Sequence, residues 1–229
     1  MFDRYFENMQ VKWGAFGNDL DNARALGLWP AARKQAPNVR ANDSRNMVAS
    51  QDRVRIIVGA CEDRYEGWIA TDKGVLDLLR VADWAYYFES NSVDAILAEH
   101  VWEHFDCSAA IVAAQNCFKY LKPGGYIRVA VPDGLHPDEG YIDHVKPGGS
   151  GAGSKDHHVL YTFRTLETVF ASVGFEITLL EYFDELGTFH NQEWFPADGM
   201  ITRSKRFDSR NRTRELAYTS IMLDARKPV

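Results

Sequence analysis

The sequence contains few cysteines and no excess of positive charge. Its 229 residues include three cysteines, and 26 lysines and arginines stand against 32 aspartates and glutamates, for a net charge of −6. An odd number of cysteines in apolar or helical contexts does not suit a disulfide framework, so we expect free thiols and a reducing compartment. The negative charge excludes a general attraction for nucleic acid or for anionic lipid surfaces.

Long apolar runs are missing as well. No segment has the length of a membrane span, and the first residues, MFDRYFE, carry charges where a signal peptide needs an apolar run. No G-x-G-x-x-G pattern opens a helix after the first predicted strand, which argues against a nicotinamide-dependent dehydrogenase. We therefore expect a cytoplasmic protein that acts on a small-molecule substrate and binds neither nucleic acid nor a membrane.

The composition, with 45% hydrophobic and 25% charged residues, is typical of a globular protein with one main core. Residues 1–51 combine scattered aromatics with a polar connector, and we interpret them as a helical arm and linker. The arm is expected to cover an edge of the core, the alternative being a lid or a homodimer contact. Residues 52–229 are expected to form the main domain.

Short apolar runs separated by turn signals or helical patterns begin at Val54. They predict seven strands, in the segments VRIIVG, GWIATD, GVLDLL, SVDAILA, YIRVAV, FEITLLEYF and LAYTSIMLDA. One helix is predicted from the spacing of Ile111, Ala114, Phe118 and Leu121, ending before Pro123. A second is predicted to be capped by Thr165 and to carry Leu166, Val169, Phe170 and Val173 on one face. Strands that alternate with helices indicate an α/β fold around a mainly parallel sheet.

Glycine and acidic residues stand where three of these strands end. In open α/β sheets a ligand binds outside the carboxyl ends of the strands. Gly59 follows the first strand, where the lack of a side chain permits close approach of a ligand. Asp72 ends the second strand, where a carboxylate can accept two hydrogen bonds from a ribose diol. Asp77 ends the third, where it either accepts from an adenine amine or caps a turn.

These residues, with the segments SNSVDAILAEHVWEH, YLKPGGYIRVAVPDG and YTSIMLDA, resemble a class I S-adenosylmethionine-dependent methyltransferase. More narrowly, they are similar to predicted methyltransferases with EHVWEH and VPDG-HPD segments. The resemblance implies a Rossmann-like, seven-stranded sheet with an antiparallel last strand, and S-adenosylmethionine laid across the strand ends. It implies cofactor contacts from Gly59, Ala60, Cys61, Asp72, Asp77, Leu78, Ala98 and Glu99.

The sequence departs from the broader class pattern in two ways. Cys61 stands where a second glycine is usual, and only ACEDRYEG separates the first two predicted strands. That segment is shorter than a helical crossover requires, so we expect a loop or a single helical turn. The departures leave an alternative open, in which the protein is a methyltransferase-like binding module without catalysis.

The stretch EHVWEHF also matches the H-x-x-E-H signature of a family of zinc peptidases. A zinc-dependent hydrolase that uses His100, Glu103 and His104 is therefore the third choice. For a zinc site both histidines must lie on one helical face, whereas VDAILA leads directly into Glu99 and places His100 at a strand-to-helix junction. We therefore predict no metal site, and His157 and His158 are the further ligands to consider if that prediction is wrong.

The candidate catalytic residues are His100, His104 and Glu99, at the end of the fourth predicted strand. An imidazole there can take a proton from a hydroxyl acceptor, and we interpret His100 as that base. His104 alternatively ties the loop to the next helix. Two long loops supply candidate substrate-binding residues, namely Asp133, His136, His157, Tyr161 and His190. The arginines between residues 203 and 212 are interpreted as a solvated face, with an anionic substrate as the alternative.

Overall fold

The structure is a computed structural model that describes residues 52–229. The predicted arm and linker, residues 1–51, lie outside the described residues. Among the described helices, none is both long and apolar enough to cross a membrane.

A seven-stranded sheet forms the centre of the described region. Its strands are β1 (Arg55–Val58), β2 (Ile69–Ala70), β3 (Val93–Glu99), β4 (Leu121–Pro132), β5 (Glu176–Phe183), β6 (Phe189–Asn191) and β7 (Ser220–Arg226). Their order across the sheet is β2-β1-β3-β4-β7-β5-β6. The pairs β1–β2, β1–β3 and β3–β4 are parallel, and β7 runs antiparallel to both β4 and β5. The predicted mainly parallel sheet with an antiparallel last strand is confirmed.

The third predicted strand, GVLDLL at residues 74–79, is wrong. Backbone N–H groups of Val75 and Leu76 donate to the Asp72 carbonyl, and the segment forms turns. Leu76 and Leu78 are buried, so the apolar residues that suggest a strand fill the core from a turn. The seventh strand is instead β6, which pairs with β5 as an antiparallel hairpin. Its three residues are too few to give a strand pattern.

Four α-helices in residues 52–229 accompany the sheet: α1 (Val81–Tyr87), α2 (Cys107–Tyr120), α3 (Glu139–Val145) and α4 (Phe163–Ala171). On α2 the buried face consists of Ala110, Ala113, Ala114, Cys117 and Tyr120. The predicted face included Ile111, which is 37% exposed. Small alanine side chains let this helix lie close to its neighbours, and because alanine is only weakly hydrophobic, the buried face gives a weak signal in the sequence. The long loop predicted after β4 contains α3.

The cap of α4 is Thr162 and not Thr165 as predicted. Thr162 accepts a hydrogen bond from the Thr165 N–H, and the Thr165 hydroxyl accepts from the Thr162 N–H in return. The two threonines therefore form a capping box, with Thr165 as its inner member. The predicted buried residues Leu166 and Phe170 do lie in the core.

Trp102 fixes the start of the segment that follows β3. Its ring is fully buried and packs on Phe170 of α4 at 5.1 Å and on Phe105 at 5.8 Å, measured between ring centroids. Its Nε1–H donates to the Ala110 carbonyl at 3.3 Å. These contacts hold a short 3-10 helix, Trp102–His104, against the core.

Asp133 follows β4 and joins its end to β5. The buried carboxylate accepts from the Phe183 N–H at 2.7 Å and from the Leu135 N–H at 2.9 Å. Burial raises the pKa of Asp133 to about 6, although both N–H donors act in the opposite direction. The Asp133 side chain therefore connects the ends of β4 and β5 and is not exposed to solvent.

Replacing Phe170 by alanine is expected to lower the free energy of unfolding by about 3–5 kcal/mol, because it leaves a cavity under Trp102. Phe195→Ala is the matched control, since Phe195 is 69% exposed, and its loss should cost less than about 1 kcal/mol. Urea denaturation of both variants measures the difference. Equal costs for the two variants would show that Phe170 does not support the core as described.

The stabilising contribution of Asp133 is expected to fall as the pH rises. Because its pKa is raised in the folded state, the folded protein holds a proton between about pH 4 and 6 that the unfolded chain has lost. The contribution is therefore complete below about pH 4 and is lost above about pH 6. Its loss lowers the free energy of unfolding by on the order of 2–3 kcal/mol. The contribution of Asp133 is measured, at each pH, as the free energy of unfolding of the wild type minus that of Asp133→Asn. A difference that grows with pH would contradict this assignment.

Candidate functional site

The carboxyl ends of β1 to β4 meet at one edge of the sheet because these strands are parallel. The loops that follow them begin at Gly59, Thr71, His100 and Asp133. The first connection, residues 59–68, contains turns and no helix, which confirms the predicted short crossover.

Gly59 exposes its backbone at this edge between the buried residues Val58 and Ala60. Its φ is +60°, and a Cβ atom added there would lie 2.6 Å from a methyl carbon of Val101. Glycine is therefore required both by the backbone conformation and by the packing of Val101. Ala60 is buried, and its N–H donates to the Thr71 carbonyl at 3.0 Å.

Asp72 lies beside this loop. Its Oδ1 accepts from the Cys61 N–H at 2.9 Å, while Oδ2 has no hydrogen-bond partner among residues 52–229. Cys61 is exposed and adopts a φ of +48°, a left-handed conformation that glycine usually provides. The cysteine thus keeps the backbone shape expected of the missing glycine. Partial burial of the sulfur, followed by the charge of Asp72, raises the pKa of the Cys61 thiol.

Asp77 and Leu78 make contacts that stabilise a turn and the main core. Asp77 Oδ1 accepts from the Leu79 N–H at 3.0 Å, which is the turn-capping alternative. The Leu78 side chain is 5% exposed within the main core, and its carbonyl accepts from Trp84 and Asn116. The adenine contact that the resemblance implies for these two residues stays a prediction.

Ala98 and Glu99 at the end of β3 are also enclosed. Ala98 is fully buried. The Glu99 carboxylate accepts from the N–H and hydroxyl of Thr202 and from the N–H of Arg203, at 2.7 to 3.0 Å. Glu99 therefore anchors the segment before β7, and with its oxygens occupied it is not placed to move a proton. Arg203, one of the arginines interpreted from the sequence as a solvated face, therefore has a structural contact.

His100 follows β3 with a φ of +56°, and its N–H donates to the Ala130 carbonyl at 2.8 Å. Its Nε2 lies 3.0 Å from Ser220 Oγ, and its Nδ1 lies 3.1 Å from Glu103 Oε1. Burial lowers the pKa of His100 well below its ordinary value, so the ring is neutral at pH 7. The predicted base is thus at the expected edge, with both ring nitrogens facing protein groups.

Glu103 is 1% exposed, and neither carboxylate oxygen has a hydrogen-bond partner among the described residues. The short distance to His100 Nδ1 lacks the alignment of a hydrogen bond. Burial raises the pKa of Glu103 to about 6. A buried carboxylate without partners is costly, so this group points to a missing interaction.

The helical histidine pair proposed for zinc does not form. His100 lies before the 3-10 helix and His104 is its last residue, so the i, i+4 geometry of an α-helix is absent here. His104 instead lies against His157, with ring centroids 4.9 Å apart. The structure thus brings one predicted catalytic residue and one predicted substrate residue together, beside Glu103.

The remaining predicted substrate residues are held in other ways. His136 is buried, its Nδ1 accepts from the Asp138 N–H, and its Nε2 lies 3.1 Å from the Leu216 carbonyl. Tyr161 is 3% exposed and its hydroxyl has no partner in the described region, while burial raises its pKa. His190 lies on β6, 2.7 Å from Asp184. Because β6 is four strands from β3, the width of the sheet separates His190 from His100 by roughly 19 Å.

Two cavities in the described region lie away from the carboxyl edge. The larger, about 620 Å³, is lined by residues that include Arg55, Trp68 and Met200. The other, about 270 Å³, is lined by residues that include Arg128 and Trp194. Neither includes Gly59, Asp72 or His100. We base the candidate site on the strand ends, where the chemistry-bearing groups gather.

Comparison with known proteins was made by sequence and by structure. The chain matches the family model of a methyltransferase domain over residues 16–180, a range that begins inside the segment predicted as an arm. A search of curated proteins found no match.

Solved structures with a similar fold include three methyltransferases. A SAM-dependent methyltransferase from Archaeoglobus fulgidus is 15% identical, with a TM-score of 0.44, over 82% of this chain and 92% of that chain. One from Thermotoga maritima is 12% identical, with a TM-score of 0.46, over 82% and 88%. Phosphoethanolamine N-methyltransferase 2 of Haemonchus contortus, in complex with S-adenosyl-L-methionine, is 12% identical, with a TM-score of 0.40, over 82% and 52%.

The family assignment depends on the sequence match, which covers more than half of the 229 residues. The sheet order and the arrangement of its carboxyl edge agree with it. The chain belongs to the methyltransferase domain family and is a methyltransferase with a Rossmann-like fold.

Proposed function

We propose that this enzyme transfers a methyl group from S-adenosylmethionine to an oxygen atom of a small acceptor. The donor assignment rests on two adjacent strand ends. Gly59 exposes its backbone at one of them, and at the other Asp72 has one carboxylate oxygen without a hydrogen-bond partner among residues 52–229. Bound there, S-adenosylmethionine supplies a methyl group on a positively charged sulfur.

Three residues are suited to hold the donor. Asp72 Oδ2 accepts from the ribose hydroxyls, while Oδ1 keeps the following loop in place through Cys61. The backbone at Gly59 and Ala60 adjoins the amino acid portion, because no side chain at Gly59 blocks approach. Asp77, Leu78 and Glu99 have no part in this proposal, since turn, core and loop contacts occupy them.

Replacing Asp72 by alanine is expected to weaken binding of S-adenosylmethionine about 10–100-fold, the effect of losing hydrogen bonds to a charged group. Isothermal titration calorimetry measures the change, with a thermal melt to verify that the variant is folded. Glu89→Ala is the control, because Glu89 is an exposed acid before β3, at the opposite edge of the sheet.

The donor assignment fails if the folded wild-type protein binds neither S-adenosylmethionine nor S-adenosylhomocysteine. It also fails if Asp72→Ala binds as tightly as Glu89→Ala.

The acceptor assignment depends on His100. An oxygen acceptor must lose a proton, and His100 is a neutral imidazole at the end of β3. To accept that proton, Nε2 exchanges its contact with Ser220 for one with the acceptor hydroxyl. Ser220 Oγ donates to the Arg203 carbonyl, so Nε2 carries the ring proton in the structure; to act as a base, the ring must instead carry its proton on Nδ1, which faces Glu103. A neutral hydroxyl gains more from such a base than a thiol or an amine, which are stronger nucleophiles without one.

With a hydroxyl acceptor, His100→Gln is expected to lower kcat by about 100-fold or more, the usual contribution of a general base. KM and donor affinity should change little, because glutamine is polar and similar in length. A panel of small alcohols, phenols, amines and thiols, assayed with labelled donor, identifies the acceptor class. His144→Gln is the control at a histidine on α3 outside the site. Turnover unaffected by His100→Gln, or methylation of nitrogen or sulfur alone, would refute this part of the proposal.

A further inference from the structure

Glu103, His104 and His157 form a group that the proposed methyl transfer does not explain. One side-chain ligand atom from each residue lies within 4.8 Å of the other two. His157 Nε2 is 4.0 Å from Glu103 Oε1. Glu103 is carried by the 3-10 helix after β3, while His157 comes from the long segment after β4.

Backbone contacts leave the same nitrogen of each histidine available. His104 Nδ1 lies 3.1 Å from the Asp156 carbonyl, and His157 Nδ1 lies 2.7 Å from the Val145 carbonyl. A carbonyl oxygen only accepts, so each Nδ1 carries a proton, and Nε2 is the nitrogen of each ring that can offer a lone pair to an ion. A backbone carbonyl that binds the second nitrogen is the usual arrangement around a metal-binding histidine.

The carboxylate of Glu103 is an independent indication. It is 1% exposed and both oxygens lack a hydrogen-bond partner in the described region. A buried carboxylate without hydrogen-bond partners is unfavourable, and a cation between it and the two imidazole rings compensates its charge. His104 is partly exposed, which opens one side of the group to solvent.

We propose that Glu103, His104 and His157 bind a divalent transition-metal ion of the zinc class. Two imidazole nitrogens and one carboxylate oxygen form a ligand set that suits zinc, with a fourth position open to water or to an acceptor atom. Donor atoms around a tetrahedral zinc ion lie about 3.4 Å apart, as bond lengths of about 2.1 Å require. Side-chain shifts of about 1 Å bring the three groups to that distance.

The proposed site differs from the H-x-x-E-H reading of the sequence because His157 replaces His100. His100 Nδ1 lies 3.1 Å from Glu103 Oε1, so the candidate base adjoins the proposed ion site. The ion therefore connects the segment after β3 to the segment after β4, beside the candidate base. The site does not depend on the assignment of the methyl donor.

Zinc binding by the full chain, first stripped with a chelator, tests the proposal. We expect one equivalent of Zn²⁺ to bind to the wild type and to raise its melting temperature. Glu103→Gln and His157→Ala should each weaken Zn²⁺ binding about 100-fold or more, since losing even an outer-shell partner costs 10–100-fold. His158→Ala is the matched control, because it removes the adjacent histidine while its backbone N–H still donates to the Glu103 carbonyl.

Two further measurements make the test specific. Co²⁺ should give the visible absorption of a four- or five-coordinate site in the wild type and in His158→Ala, and should lose it in His157→Ala. Mg²⁺, which prefers oxygen ligands, should not compete. The proposal is overturned if folded wild-type protein binds no Zn²⁺, if Glu103→Gln and His157→Ala bind it as tightly as His158→Ala, or if Mg²⁺ displaces it.

Discussion

Parallel hydrogen bonding between β1, β3 and β4 is the constraint on which the site depends. Val58 pairs with Ala98, and Glu99 pairs with Ala130, so the strands end close to one another. The residues that follow, Gly59 and His100, are brought together although they are far apart in the chain. Both have positive φ angles, because the chain must turn sharply away from the sheet. A shift of one residue in either pairing would reverse the faces of a strand and separate these groups.

The segments around this edge are fastened by buried polar contacts. Glu99 binds the backbone of Thr202 and Arg203, and Ser220 Oγ donates to the Arg203 carbonyl at 2.8 Å. On the next strand, Arg128 is 3% exposed and forms two hydrogen bonds with Asp224 of β7. The buried charges of Glu99 and Arg128 therefore have partners, as burial requires. Glu103 departs from this pattern within the described region, which is why it indicates a ligand.

The sequence predicts the elements that have strong periodicity, and misses those that depend on tertiary contacts. The strands β1, β3, β4, β5 and β7 follow from apolar runs, and the short first crossover follows from the number of residues available. The turn at residues 74–79 has the same composition as a strand, and only the local hydrogen bonds of Asp72 and Asp77 distinguish them. The site is predicted in part. Gly59, Asp72 and His100 lie at the expected edge, whereas Asp133 and His136 are held by contacts within the fold. That His157 meets His104 could not be predicted, because the two are joined only through the fold.

The central claim is that this edge of the sheet holds the methyl donor. A crystal structure of the protein grown with S-adenosylhomocysteine tests it most directly. The account predicts the ribose hydroxyls within hydrogen-bond distance of Asp72 Oδ2, and the amino acid portion against the backbone at Gly59. The nucleoside bound in either of the two cavities away from the strand ends, or on another face of the sheet, would contradict it.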